Sequence, residues 1–312
     1  MTEIGFLLPT RDRIVLGDHD IGSLVRLARL AEELGFDSVW AGDSPVTRQR
    51  ADAITLLAAV AAGTERVTLG TAVLLAALRH PIPLAHQLAT VDRISGGRLV
   101  AGLGAGFPTP NTEAQFTAIG VDYKTRVSRL EETITAMRLL WSGEEVSFDG
   151  RHFAFHDVRV APRTVRPEGP PIWLAAGGEA ALRRVARLAD GWLPYPPAWQ
   201  TYAKELAVIR NAGGDTATPA LYATVCLDDS PDRARLRMRA SIERYYDAPL
   251  EAIGAIQAMY AGTPAGAASW LGRYVASGAR HLVIRLAVED HDKGLAEFAE
   301  RVMPLLREGE AR

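Results

Sequence analysis

Cysteine is almost absent from the sequence, since Cys226 is the only one among 312 residues. A single cysteine excludes an intrachain disulfide and a zinc site built from clustered cysteines. Cys226 lies in the apolar run 221–227, so we predict an unreactive core residue. The seven histidines show no metal-ligand spacing, and the sequence therefore predicts no metal site.

The sequence also lacks an excess of charge of either sign and a long hydrophobic run. Its net charge of −2 gives no electrostatic reason to expect a nucleic acid or an anionic membrane as partner. The apolar run 53–62 is far shorter than the roughly twenty residues that a membrane-spanning helix requires. The first residues lack the basic segment and apolar core of a signal peptide. We therefore expect a cytoplasmic protein.

The stretch 67–106 shows the unit from which the chain is built. Two short apolar runs, 67–75 and 98–104, are typical of strands. Between them apolar residues recur at helical spacing, with prolines near the start and two glycines past the end: Leu84, Leu88, Val91, Ile94, Pro81, Pro83, Gly96 and Gly97. The pattern predicts a βαβ unit with two parallel strands.

Strand–helix cycles of this kind continue through the whole chain, and eight can be counted. The predicted strands are 4–8, 38–41, 67–75, 98–104, 172–176, 191–194, 221–227 and 281–286. Such cycles are typical of a wound parallel sheet or of a barrel, and a (β/α)8 TIM barrel takes about 250 residues, which would leave roughly sixty for insertions. We predict one α/β domain over 1–312, with insertions after the fourth and seventh strands, at about 107–122, 143–170 and 228–262. The Pro- and Thr-rich segment 107–122 is predicted as a loop, and 293–306 as one closing helix.

Ligands of such barrels bind at the carboxyl ends of the strands, where two glycine motifs stand. Gly177 and Gly178 separate the fifth strand from a helix that begins at Glu179, so free backbone N–H groups could bind a phosphate. The alternative is that they only make a tight turn. The G-L-G-A-G run at 102–106 lacks the spacing of the dinucleotide fingerprint, and 107–110 does not resemble a helix start.

Three residues near predicted strand ends are candidates for proton transfer. His80 could titrate usefully, although a histidine that only satisfies backbone groups fits as well. Tyr195 could line a ligand pocket or belong to the core, and Asp43 is a further candidate. Ser44 has no G-x-S-x-G context, which argues against a serine hydrolase.

Several ordered motifs closely resemble the luciferase-like monooxygenase superfamily. They are L-G-T-A-V-L at 69–74, R-H-P at 79–81, H-Q-L-A-T-V-D-R-I-S-G-G-R at 86–98 and G-L-G-A-G at 102–106. The resemblance implies an enzyme that uses a flavin or a deazaflavin on a (β/α)8 barrel.

The resemblance also implies which residues bind the cofactor. Members that use the deazaflavin F420 often carry a non-proline cis peptide under its ring, and the matching bond here joins Ala72 and Val73. The other implied contacts are small residues near the ring and the phosphate: Gly104, Ala105, Gly106, Ala176, Gly177 and Gly178.

Asp43 and Ser44 are also implied cofactor residues, and they indicate the type of flavin. Many FMN-using relatives have Glu-His-His at this position, whereas F420-dependent sugar dehydrogenases have Asp-His. Those dehydrogenases also place a glutamate where this chain has Phe107. The two differences argue against oxidation of a sugar phosphate and leave the general acid or base open.

We therefore predict an F420-dependent oxidoreductase that transfers hydride between the deazaflavin and an unidentified small organic substrate. One alternative is an FMN-dependent monooxygenase supplied by a separate flavin reductase. Another is a non-catalytic barrel that only binds flavin. The family resemblance implies a homodimer.

Overall fold

The computed structural model describes residues 1–310, in which strands and helices alternate almost throughout. In chain order the strands are β1 (Glu3–Leu7), β2 (Ser38–Ala41), β3 (Thr68–Thr71), β4 (Leu99–Leu103), β5 (Val146–Asp149), β6 (Ala154–Val158), β7 (Ile172–Leu174), β8 (Gly191–Trp192), β9 (Thr218–Leu227), β10 (Met259–Gly262) and β11 (His281–Leu286).

The α-helices pack outside these strands or cover their ends. They are α1 (Thr10–Val15), α2 (Gly22–Glu33), α3 (Ala53–Gly63), α4 (Pro81–Ser95), α5 (Pro110–Ile119), α6 (Arg126–Trp141), α7 (Glu179–Leu188), α8 (Trp199–Asn211), α9 (Pro231–Tyr246), α10 (Leu250–Gly254), α11 (Pro264–Ala276), α12 (His291–Arg301) and α13 (Met303–Glu310).

Eight strands form a closed parallel barrel in the order β1-β2-β3-β4-β7-β8-β9-β11, and β11 pairs with β1 to complete the ring. These strands read as continuous apolar runs because side chains on one face fill the barrel and those on the other meet the helices. The predicted (β/α)8 barrel is therefore confirmed. The short strand β10 pairs in parallel with the last four residues of β9 and was not predicted.

Aromatic side chains fill the lower part of the barrel. The rings of Trp40 and Trp173 lie 5.2 Å apart, and both contact the ring of His281. Gly70 makes room for Trp40, because a Cβ there would lie 2.1 Å from the indole. His281 Nε2 lies 2.7 Å from Ser38 Oγ, which accepts a hydrogen bond from the indole N–H of Trp40. This packing fills the interior of the barrel toward its amino-terminal end.

Two predictions about local structure are wrong. The segment 107–122 contains α5 rather than a loop alone: Thr109 caps the helix by accepting from the Thr112 N–H, and Pro110 takes its first position. Threonine followed by proline is a helix-start signal, which the proline-rich composition concealed. The predicted closing helix is two helices, α12 and α13, which separate at Val302.

Cys226 is fully buried, as predicted, and burial raises the pKa of its thiol to about 11. Among residues 1–310, no helix is both long and apolar enough to cross a lipid bilayer.

Candidate active site

A cavity of about 830 Å³ opens at the carboxyl end of the barrel. It is the only place where the predicted cofactor residues meet, within the part of the chain that the structure describes. All of them line it, together with Tyr195: Asp43, Ser44, Ala72, Val73, Gly104, Ala105, Gly106, Ala176, Gly177 and Gly178. The structure thus brings together every predicted site residue except His80.

Small residues and backbone form the floor of the cavity. The Ala72–Val73 peptide bond is cis, at the bond that the family resemblance indicates. Beyond it the chain rejoins β4, since Leu74 N–H donates to the Gly102 carbonyl and Gly104 N–H donates to the Leu74 carbonyl. A Cβ on Gly104 would lie 2.7 Å from Val73 Cγ2, so this glycine lets the two strands close together. We call Ala72, Val73, Gly104 and Ala105 the floor.

Gly177 and Gly178, which we call the cradle, lie directly before α7. Gly178 has φ +79°, a left-handed conformation that favours glycine, and nothing lies within 4 Å of where its Cβ would be. The cradle therefore offers open space at a helix N-terminus, where an anion is stabilised by backbone N–H groups.

A carboxylate also reaches the cradle. Glu205, on α8, accepts a hydrogen bond from the Gly178 N–H at 3.3 Å. Burial raises the pKa of Glu205, and this hydrogen bond opposes the increase. Glu205 was not predicted as a site residue, because it stands in the middle of a helix and is 27 residues from Gly178.

Asp43 lies at the edge of the cavity in a buried ion pair. Its two carboxylate oxygens accept from the Arg79 guanidinium at 2.6 and 2.9 Å, and one of them also accepts from the Leu75 N–H at 2.9 Å. The Asp43 side chain is 3% exposed. Burial opposes the charge of Arg79, but Asp43 outweighs it and raises the arginine pKa. Asp43 therefore holds the segment after β3 in place, with both of its carboxylate oxygens hydrogen-bonded.

Ser44 connects the segment after β2 to α5. Its hydroxyl donates to Gln115 Oε1 at 2.9 Å and accepts from the Arg48 N–H at 3.0 Å. The second contact orients the loop that carries Arg48 and Arg50, which both line the cavity.

Aromatic residues form a further part of the cavity wall. Tyr195 lies between Phe107 and Tyr222, with ring centroids 6.4 and 6.3 Å away. Burial raises the pKa of Tyr195 well above its ordinary value, so its hydroxyl stays protonated and can donate a hydrogen bond. Tyr246 and Gln257 also line the cavity and hydrogen-bond each other.

His80 lies away from these groups, at the start of α4. Its Nδ1 accepts from the Ile82 N–H at 3.3 Å, and its ring packs edge-on against Phe153 at 5.3 Å. Burial lowers the pKa of His80, and Arg129 lowers it further. The structure therefore places His80 as a helix cap and not among the cavity-lining residues.

Four arginines that were not predicted as site residues lie beside Tyr245 and Tyr246: Arg11, Arg48, Arg50 and Arg285. They come from three separate segments of the chain, so no local motif could identify them. Among residues 1–310, no group of three or more His, Cys, Asp or Glu side chains could hold a metal ion.

Fold and site together define a (β/α)8 barrel whose single mouth presents a bare backbone floor and a glycine cradle. The sequence profile of the luciferase-like monooxygenase family matches residues 2–306, and the chain belongs to that family.

The proteins to which this chain is similar include an F420-dependent dehydrogenase, a reductase and a monooxygenase. An F420-dependent glucose-6-phosphate dehydrogenase from Kineococcus radiotolerans is 30% identical, over 92% of this chain and 93% of that protein. A 5,10-methylenetetrahydromethanopterin reductase from Methanolobus tindarius is 29% identical, over 70% of this chain and 65% of that protein. The crystal structure of the monooxygenase RslO1 from Streptomyces bottropensis superimposes with a TM-score of 0.80 at 25% identity, over 97% of this chain and 99% of that one.

Proposed function

We propose that this protein is an F420-dependent oxidoreductase that acts on a small organic molecule. The observation that carries the proposal is the meeting of the floor residues and the Gly178 cradle in one cavity. The F420-dependent relative, which matches over almost the whole chain, supports the choice of deazaflavin.

The residues present fit such a cofactor. Ala72, Val73 and Ala105 leave a flat surface free of long side chains, which suits a tricyclic ring. The open space at Gly178 and the start of α7 suit a phosphate. Arg126 also lines the cavity and could add positive charge for an anionic tail.

When bound, F420 supplies a hydride-exchanging carbon in its central ring. The protein positions the reactants and controls protons. The floor would support the ring, and the side chains of Tyr195, Tyr222 and Phe107 would limit the access of water to it. Tyr195 Oη carries its proton throughout the physiological range and is our candidate donor to a substrate oxygen.

The cavity contains no histidine, and its two carboxylates within residues 1–310 are committed elsewhere. Asp43 binds Arg79, and Glu205 lies at the cradle. A strong base near the substrate is therefore missing, whereas protonated tyrosines are available. This favours reduction of a substrate by the reduced cofactor over oxidation of an alcohol, and it is compatible with the relationship to a reductase.

A second candidate is an FMN-dependent monooxygenase that receives reduced flavin from a separate reductase. The close superposition with a monooxygenase favours this alternative, since the same floor and cradle could hold FMN. Under either proposal we expect a cytoplasmic homodimer, as the family resemblance implies, and under the first we expect a separate enzyme that reduces F420.

Titration of the purified protein with F420 and with FMN separates the candidates. The readout is the absorbance and fluorescence of the flavin or deazaflavin ring. We expect micromolar affinity for F420 and much weaker binding of FMN. Tight FMN binding with reductase-coupled oxygen uptake would support the monooxygenase instead. Binding of neither would contradict both and leave the non-catalytic barrel.

A further inference from the structure

Four arginine side chains surround two adjacent tyrosine rings on one side of the cavity. The guanidinium carbons of Arg285, Arg11 and Arg50 lie 4.1, 5.3 and 5.8 Å from the centre of the Tyr245 ring. Arg48 lies 5.4 Å from the centre of the Tyr246 ring, and the two rings are 4.7 Å apart. We call Arg11, Arg48, Arg50 and Arg285 the arginine cluster.

The arginine cluster has too few carboxylates to balance its charge. Arg285 pairs with Asp12 at 2.6 Å. Within residues 1–310, no other carboxylate lies within 4.0 Å of a cluster guanidinium, so four positive charges face one negative charge. The cluster is also partly withdrawn from water: Arg285 is 1% exposed and the other three arginines are half-buried. Burial lowers the pKa of Arg11, and Arg50 and Arg48 lower it further. Neighbouring like charges at low exposure are unfavourable unless an anion joins them.

Some guanidinium nitrogens of the cluster lack a hydrogen-bond partner among residues 1–310. In the described part of the chain, Arg285 Nε and Nη1 and Arg48 Nε are buried and have no hydrogen-bond partner. Arg285 otherwise donates from Nη2 to Asp12 and to Ser241. Arg48 and Arg50 line the cavity directly, whereas Arg285 lies behind Tyr245. A ligand would therefore touch Arg48 and Arg50, and Arg285 would support them.

The arginine cluster lies across the barrel from the cradle. Its members follow β1 and β2 or stand on β11, which are neighbours in the ring. The cradle follows β7, four strands from β1 in a ring of eight. The floor, after β3 and β4, lies between the two. If the deazaflavin lies on the floor with its phosphate at the cradle, the arginine cluster is therefore available to the substrate.

We infer that the arginine cluster is the binding site for an oxyanion group of the substrate, a carboxylate or a phosphate. This inference rests on the proposed function, because it assigns the cradle to the cofactor. Paired guanidinium groups bind such oxyanions through charge-assisted hydrogen bonds. Tyr245 and Tyr246 hold the guanidinium planes by stacking, and Ser44 fixes the loop of Arg48 and Arg50. The substrate is thus a small organic anion rather than a neutral alcohol or ketone.

Calorimetric titration of the full chain tests this inference, with and without saturating F420. The probes are benzoate and phenyl phosphate, and their neutral counterparts are benzamide and benzyl alcohol. We expect at least one anion to bind about tenfold more tightly than its neutral counterpart. Preference for benzoate or for phenyl phosphate would identify the group as carboxylate or phosphate.

Arg48→Gln and Arg50→Gln should each weaken binding of the preferred anion about tenfold, because each removes one positive charge that contacts the anion. Arg235→Gln, on the exposed face of α9, is the matched control and should change nothing. Circular dichroism checks folding, and the two separate variants keep the test available if one of them fails to fold. F420 affinity, read by ring fluorescence, should stay within about twofold in all three variants.

Equal binding of anions and neutral probes would overturn the inference, as would no binding of any probe. It would also be overturned if Arg48→Gln and Arg50→Gln lowered F420 affinity about tenfold and left the anions unaffected, since the cluster would then belong to the cofactor. Anion binding in a protein that ignores F420 would keep the oxyanion site and refute only the proposed function.

Discussion

Glu205 is the residue that most directly opposes a phosphate at the cradle. Its carboxyl group occupies the Gly178 N–H that a phosphate would use, and an ionised carboxylate repels an anion. Because burial raises its pKa, Glu205 takes up a proton at a higher pH than an exposed glutamate does. At lower pH the cradle loses this negative charge.

We therefore predict that F420 binds more tightly as the pH falls from about 8 to about 5, toward the raised pKa of Glu205. Glu205→Gln should bind F420 several-fold more tightly at neutral pH and show a flatter pH profile. Fluorescence titrations across this range measure both effects. Glu300→Gln, on the exposed face of α12, is the control, and equal pH profiles for wild type and Glu205→Gln would refute this role.

Asp43 illustrates what sequence can and cannot show about a residue. Its position at the end of a strand and its place in the cavity were predictable. Its partner Arg79 is 36 residues away, so the ion pair that occupies both carboxylate oxygens could not be predicted from the sequence. The roles of Glu205 and the arginine cluster could not be predicted for the same reason, because each depends on contacts between segments that are distant in the chain.

Asp43→Asn should lower the free energy of unfolding by about 3 kcal/mol, because it leaves the buried Arg79 guanidinium without its carboxylate. Urea denaturation measures the change. Arg235→Gln breaks only an exposed pair with Asp232 and should cost under about 0.5 kcal/mol. An Asp43→Asn loss as small as that of the control would contradict the structural role given to this pair.

At the scale of elements, the segments between strand and helix carry the site. Gly178 and Gly106 were identifiable because bare backbone at a strand end requires glycine, and both have positive φ. The short length of β3 was not predictable, since it ends where the chain reaches the cis bond after Thr71. Helix α5 was missed, although Thr109 and Pro110 carry its start signal.

Gly178→Ala separates the conformational role of this glycine from its role at the cradle. Alanine at positive φ should cost about 1–2 kcal/mol of stability. Gly213 provides a matched control, because it has φ +90° and no atom within 4 Å of its Cβ position, yet does not line the cavity.

We expect similar losses of thermal stability in Gly178→Ala and Gly213→Ala, but about tenfold weaker F420 binding only in Gly178→Ala, where the methyl group enters the phosphate space. Differential scanning calorimetry and fluorescence titration give the two readings. Unchanged F420 affinity in Gly178→Ala would contradict the proposal that the cradle binds the phosphate of the cofactor.

At the scale of the whole molecule, the eight strand–helix cycles predicted parallel strands alternating with helices, and the family resemblance selected the barrel. Parallel strands buried on both faces read as apolar runs, and this signal does not depend on distant contacts. The extra strand β10 escaped because its four residues are mostly only half-buried. Trp40, Trp173 and His281 fill the interior of the barrel toward its amino-terminal end. At the opposite end the cradle, the floor and the arginine cluster follow one another around the barrel.

The central claim is that this mouth holds a flat ring on the floor with its phosphate at the cradle. A crystal structure of the protein soaked with F420 tests it most directly. We predict the ring against Ala72 and Val73, the phosphate at the Gly178 N–H, and the Glu205 side chain displaced. A phosphate bound instead by Arg48 and Arg50, with the ring away from the cis peptide, would contradict the account.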